Sequence, residues 1–390
     1  MCRCAFTPLV LALAFGACDG STDVEVLQLF VEPEAGLVAG VGETSRFLVM
    51  ARGAGGSEIP TEGADWVSDN PDVARVDERG VATGVTPGTA ELTVRFGGRS
   101  ATAVVEVFVP PDVAEYEAGV SYFGRNGYVE YIPGTLPVIL SAPHGGDLTP
   151  SEIAERTTGV VVTDRGTREL TLAVRDAFID LTGAAPHVVI SHLDRVKLDP
   201  NREIVEAAQG DPFAERAWEE YHGFIEMARL EVALFGEGMY FDMHGHGHPQ
   251  DRLELGYLLL ADRLNDDDDS LNSLATVQQT SIREIGRDSE LPFSQVIRGP
   301  TSLGGLLEEH GVPAVPSPSI PGPGSDPYFS GGYSTWRHGS LADTELVSGI
   351  QIEHHYPGLR NSDANRRAYA TLLADAVRAF MLEHMGYFEP

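Results

Sequence analysis

Two patterns of apolar and polar positions divide the chain. Over residues 24–109, short runs alternate apolar and polar at 24–31, 45–51, 73–76, 90–96 and 101–109, with Gly, Pro, Asn and Asp between them. Alternation with a period of two predicts half-buried strands joined by turns. An all-β sandwich follows, with Trp66 and the alternating valines inside. After residue 115 the pattern changes. Apolar runs at 138–142, 187–190, 239–243, 256–260 and 349–353 alternate with amphipathic stretches at 167–181, 212–234, 271–286, 303–310 and 363–385. This alternation predicts an α/β domain over 115–390, a mostly parallel sheet flanked by helices. In such sheets ligands bind beyond the carboxyl ends of the strands. Val109-Pro110-Pro111-Asp112 reads as a stiff linker between the two parts.

Composition narrows the setting. Residues 1–20 read as a signal segment: Arg3 is followed by an apolar run from Leu9 to Phe15 and then by Phe15-Gly16-Ala17-Cys18, a lipoprotein-type cleavage box. The run is too short to span a bilayer. Export, with a lipid anchor in the bacterial cell envelope, is the expectation. Cys2, Cys4 and Cys18 are the three cysteines of the sequence, so a disulfide framework or thiolate metal site is excluded beyond that segment. The formal net charge is −31 and no basic patch is visible, which argues against a nucleic-acid partner. Trp66-Val67-Ser68-Asp69-Asn70-Pro71, Gly80-Val81-Ala82-Thr83-Gly84 and Pro87-Gly88-Thr89-Ala90 resemble a group 2 bacterial immunoglobulin-like domain. That resemblance implies a spacer or a cell-surface contact module.

Candidate chemistry gathers at the predicted strand ends of the second part. Gly238-Met239-Tyr240-Phe241-Asp242-Met243-His244-Gly245-His246-Gly247-His248 runs from a buried strand into three alternating histidines. Pro143-His144-Gly145-Gly146 follows another strand, and the glycines leave an imidazole face open. Neutral imidazole is the commonest protein ligand for zinc. A carboxylate ligand is expected from Asp164 or Glu169 at the start of the 167–181 helix; Asp164, which also suits a helix N-cap, is favoured. Two imidazoles and one carboxylate leave a fourth position for water, the pattern of a catalytic zinc site. Asp242 is placed to orient a ligand histidine through its other ring nitrogen. Glu353 ends a further apolar strand, where a carboxylate can relay a proton. Arg195, Asn201, Arg202 and Arg337 supply groups that grip carboxylates, and His246 is placed beside the substrate. Asn265-Asp266-Asp267-Asp268-Asp269-Ser270 lacks the ligand spacing of an EF-hand and reads as a solvated loop. The Pro-, Gly- and Ser-rich segment 313–332 reads as a rim or lid.

In order, Pro143-His144-Gly145-Gly146, Thr163-Asp164, Leu198-Asp199-Pro200-Asn201-Arg202, Asp242-Met243-His244, Gly331-Gly332-Tyr333-Ser334-Thr335-Trp336-Arg337-His338-Gly339 and Gln351-Ile352-Glu353 resemble the N-formylglutamate amidohydrolase family. That family is itself similar to zinc carboxypeptidases in fold and chemistry. The resemblance implies one Zn2+ held by His144, an acidic residue and His244. It implies Glu353 as general base, with Asn201, Arg202 and Arg337 on the substrate carboxylate. Departures cluster at the pocket: three histidines replace the family's His-Ser, and Asp-Pro replaces Asp-Leu before Asn201. The expectation is a zinc-dependent hydrolase of an amide bond in an N-acyl amino acid or related carboxylate-bearing substrate. The alternatives are a metallocarboxypeptidase-like enzyme on peptides and a surface-binding lipoprotein without catalysis.

Overall fold

The computed structural model describes residues 25–38, 40–107, 116–340 and 346–388. Residues 1–20, read above as a signal segment, and residues 109–112, read as a linker, lie outside the described residues. Residues 25–107 form an all-β unit of three small sheets. Its pairings are antiparallel except that Ala35–Val38 runs parallel to Arg99–Val107. Phe47, Trp66, Ala82, Leu92, Val94 and Val105 fill its core. Gly80 has a φ of 76°, and a Cβ there would lie 2.3 Å from the Phe47 carbonyl and 3.0 Å from the Trp66 ring. The turn therefore requires glycine.

The second unit is built on eight strands: β1 (Tyr122–Phe123), β2 (Val129–Ile132), β3 (Val138–Ala142), β4 (His187–Ser191), β5 (Gly238–Gly245), β6 (Leu253–Gly256), β7 (Ala314–Val315) and β8 (Val347–His354). Their order across the sheet is β1-β2-β4-β3-β5-β8-β6-β7. The expectation of a mostly parallel sheet is corrected here. The centre, β4-β3-β5-β8, is parallel, as is the β6–β7 edge. However, β1–β2, β2–β4 and β6–β8 are antiparallel, so the sheet is mixed. Counted over all described strands, antiparallel pairings predominate. The reason lies in connection length. Parallel neighbours need a crossover of a dozen or more residues. Only residues 246–252 separate β5 from β6, so β6 must return in the opposite sense. Apolar runs alone carry no record of direction.

Helices cover both faces of the sheet. On one face, α1 (Thr167–Thr182) presents Leu170, Val174 and Phe178 at four-residue spacing to Leu140, Phe241 and Ile352, beside the C-terminal helix Asp363–Met385. Burial of side chains of this size stabilises by about 1.5–3 kcal/mol each. On the other face the helix Pro212–Ala233 packs Ala217, Tyr221 and Ile225 against Ile139, Val189 and Tyr240. Burial on both faces explains why β3 and β5 read as continuous apolar runs. The predicted helix over 271–286 is broken into Asp268–Leu271, Leu274–Val277 and Arg283–Asp288. The predicted strand over 256–260 lies earlier, at Leu253–Gly256. The Asp-rich tract supplies Asp267 as a helix N-cap, its side chain accepting from the Ser270 N–H. Among the described residues no helix is long and apolar enough to cross a membrane.

Candidate metal centre

The parallel centre of the sheet brings three strand ends together. His144 lies two residues beyond β3, His244 is in the last turn of pleat of β5, and Glu353 is opposite His244 on β8. Asp164 comes from the segment leading into α1. Its carbonyl accepts from the Thr167 N–H and hydroxyl, while Gly166, not Asp164, is the N-cap of α1. The Asp164 carboxylate is thereby released from capping and turned inward. Glu169 instead faces outward, paired with Arg168. His144, Asp164 and His244 are all buried, and one ligand atom from each lies within 4.8 Å of the others.

The orientation of these groups is informative. His144 Nε2 is 2.6 Å from Asp199 Oδ1, and His244 Nε2 is 2.7 Å from Asp242 Oδ2. A carboxylate only accepts, so each Nε2 carries a proton and donates it. The two Nδ1 atoms are left facing one oxygen, Asp164 Oδ2, at 3.3 Å and 3.4 Å. Lone pairs so opposed need a proton or a cation between them. For bonds of about 2.0–2.1 Å, a tetrahedral ligand shell has edges of roughly 3.3 Å. The donor set, two imidazoles and a carboxylate each braced from behind, fits a divalent metal ion. The buried cluster thus has the capacity for metal coordination and is compatible with the active site of a metal-dependent enzyme.

Electrostatics follow the same geometry. Burial opposes ionisation of Asp164, but the two imidazoles facing it hold its carboxyl below the usual range. Burial likewise opposes ionisation of Asp199, and His144 and Arg195 outweigh it. His244 loses charge stability by burial, yet Asp242 and Asp164 raise it well above the ordinary histidine value. Glu353 behaves oppositely. Burial pushes it up to about 8, with His244 opposing and Asp164, Glu254 and Asp242 adding to the rise. Its Oε1 accepts from Gln351 Nε2 at 2.9 Å, and its buried Oε2 has no hydrogen-bond partner among the described residues.

The remaining candidates fall into different places. Asn201 is buried with Nδ2 3.3 Å from His244 Nε2, and its Oδ1 accepts from the Ser334 N–H at 2.8 Å. Arg195 clamps Asp199 through Nε and Nη2, both at 2.9 Å, and approaches Asp164 at 3.7 Å. It braces the acid behind His144. Arg202 is partly exposed and bonds Glu206 at 3.1 Å. Arg337 is fully buried, pairs with Glu106 from the all-β unit, donates to the Tyr333 hydroxyl at 3.0 Å and lies over the Trp218 ring. His246 is buried, with Nε2 donating to the Arg252 carbonyl at 2.8 Å. Two residues with structural weight at the centre had no assigned role from sequence. Asp199 lay within a motif noted for its arginine and asparagine. Arg360 carries no sequence signal, yet it bonds the carbonyls of His354, His246 and Arg165. Its guanidinium lies where a Cβ on Gly245 would be, 2.4 Å from that position. A cleft of about 480 Å³ lined by Gly145, Gly146, Val161, Val162 and Arg165 opens beside His144.

Comparison with known proteins addresses the N-terminal unit most directly. The bacterial Ig-like domain family matches residues 63–108, so the chain carries an N-terminal bacterial Ig-like domain. No curated protein matches the chain. Among solved structures, gene product Atu2144 from Agrobacterium tumefaciens is 14% identical over 64% of this chain and 93% of its own, with a TM-score of 0.37. Domains 1–6 of the surface layer protein SbsC are 20% identical, with a TM-score of 0.21; the match covers 28% of this chain and 18% of that one. A bacterial Ig-like domain containing GH10 xylanase from termite gut is 11% identical over 53% of this chain and 62% of its own, with a TM-score of 0.13. Likenesses this low assign no activity.

Proposed function

We propose that the second unit is a zinc-dependent amidohydrolase of the N-formylglutamate amidohydrolase type. Its substrate is an N-acyl amino acid or a related carboxylate-bearing amide. The observation that carries the reading is the convergence of His144 Nδ1 and His244 Nδ1 on Asp164 Oδ2, with Glu353 on the neighbouring strand, its buried Oε2 without a hydrogen-bond partner among the described residues. Zinc held by His144, Asp164 and His244 would supply a Lewis acid that polarises the amide carbonyl and acidifies water.

The protein groups divide the rest of the work. Glu353 takes the proton of the attacking water and delivers it to the leaving nitrogen. Its elevated proton affinity suits both directions of transfer near neutral pH. Gln351 holds Oε1, so Oε2 is the atom that exchanges the proton. Asp199 and Asp242 fix the ring orientations of His144 and His244, and Arg195 fixes Asp199. Asn201, beside His244, and the partly exposed Arg202 hold the substrate carboxylate. Arg337, expected on the substrate carboxylate, is fully buried and occupied by Glu106, so that carboxylate is left to Asn201 and Arg202. The signal-like residues 1–20 support an exported, lipid-anchored enzyme, whose Ig-like domain contacts the cell surface.

Hydrolysis of a panel of N-acyl amino acids and short peptides by the zinc-loaded protein tests the proposal. N-acyl amino acids are expected to be cleaved, and Glu353→Gln to lose that activity while keeping its metal. Cleavage of peptides alone would displace the substrate assignment. An unchanged rate in Glu353→Gln would overturn the mechanism.

A further inference from the structure

The histidine run after β5 contains a second convergence, separate from the centre above. His246, His248 and Glu254 each place one ligand atom within 4.8 Å of the others. Their surroundings prepare all three. His246 Nε2 donates to the Arg252 carbonyl at 2.8 Å, so Nδ1 carries the lone pair; it accepts from the His248 N–H at 3.2 Å, a contact that a bound cation would replace. A backbone carbonyl behind the ring is the usual brace of a metal-ligating histidine. His248 is stacked on Phe329, with ring centroids 4.6 Å apart and planes at 17°. Its Nδ1 lies 2.7 Å from Glu254 Oε1. The Phe329 N–H donates to Glu254 Oε2 at 2.8 Å. One residue of the 313–332 segment therefore sets both the imidazole and the carboxylate.

Charge supplies the independent argument. Glu254 is fully buried, and among the described residues its ion-pair partner is an imidazole, His248 at 2.7 Å, with no Lys or Arg beside it. It sits directly opposite Glu353 on β8, which in turn sits opposite His244 on β5. Neighbouring strands are about 4.7–4.9 Å apart, so two buried acids face one another across one strand spacing. Buried carboxylates are retained when paired or when they coordinate a cation.

We propose that His246, His248 and Glu254 form a second divalent-cation site, of the zinc class by its imidazole-rich donor set, lying beside the first with Glu353 between them. The site neutralises Glu254 and pins the 246–252 return loop. It stands whether or not the first centre cleaves an amide.

Equilibrium dialysis of the stripped full chain against Zn2+ alone, with metal content per chain as the readout, tests the assignment. Two equivalents are expected for the wild type, one for His248→Ala, one for Glu254→Gln and one for His144→Ala. The equivalent retained in each variant shows that it is folded. His248→Ala alters a partly exposed side chain, which keeps the test independent of the core. Anomalous scattering at the zinc edge should give a peak bounded by His246, His248 and Glu254. A single wild-type equivalent that persists in His248→Ala would overturn the proposal, as would two equivalents unchanged in His248→Ala and Glu254→Gln. A single equivalent lost in His248→Ala but kept in His144→Ala would support this site and count against the first.

Discussion

The two units use burial in opposite ways. In the Ig-like unit, among the described residues, only Ser45 and Glu106 are buried polar groups. Its core is Phe47, Trp66 and aliphatic side chains. In the second unit the strand ends and the segments beside them gather His144, Asp164, Asp199, Asp242, His244, Glu254 and Glu353, all buried. Removing such groups from water costs several kcal/mol each before pairing. Mutual pairing offsets the cost for the Asp–His contacts and leaves it standing at Glu353. The first unit has an almost wholly apolar core, and the second retains an electrostatic cost where chemistry is proposed. Glu106 joins the two, since it is the buried acid of the Ig-like unit and its partner is Arg337.

Substitutions test this contrast between the two units. The largest effect is expected from His244→Ala, which should remove both the metal equivalent of the first centre and all hydrolysis. Metal analysis of the purified variant checks the first and the N-acyl amino acid panel the second. Next is Glu353→Gln, expected to lower kcat by about 10²–10⁴-fold with metal content unchanged. Asp199→Asn and Asp242→Asn should each weaken metal affinity by about 10–100-fold, measured by competition with a chromophoric chelator.

A fourth effect concerns pH. In the metal-free protein Glu353 has a folded-state value raised from 4.5 to about 8. Its contribution to stability is therefore complete below 4.5 and is lost as pH rises toward 8. Melting in EDTA should fall more steeply with pH over this window in the wild type than in Glu353→Gln. Equal slopes would remove the electrostatic cost from the account. The smallest effect on the centre is expected from Trp66→Ala. It should destabilise the Ig-like unit by about 3–5 kcal/mol yet leave metal content and kcat at wild-type values.

The legibility of the sequence follows the same division. Strands β3 and β5 and the helices Thr167–Thr182, Pro212–Ala233 and Asp363–Met385 were readable, because period and length distinguish buried strands from amphipathic helices. His144 and His244 were readable as strand-end imidazoles with adjacent glycines. Strand direction was not, because it depends on connection geometry that an apolar run does not encode. The choice between Asp164 and Glu169 was open for a similar reason. Both sit at a helix start, and only the placement of Gly166 at the cap turns Asp164 inward. Asp199, Glu254 and Arg360 each have a partner far away in sequence, His144, Phe329 and Arg165, so their roles emerge only once the strands are side by side. The arginines were read by residue type, whereas their acid partners Asp199, Glu206 and Glu106 determine what each one does.

The central claim is that a metal ion binds where two Nδ1 atoms face Asp164. A zinc-edge anomalous difference map from crystals of the zinc-loaded full chain tests it most directly. A peak is expected within bonding distance of His144 Nδ1, His244 Nδ1 and Asp164 Oδ2, with an open position toward Glu353. A map with no peak at these three atoms, or with Glu169 in place of Asp164, would contradict it.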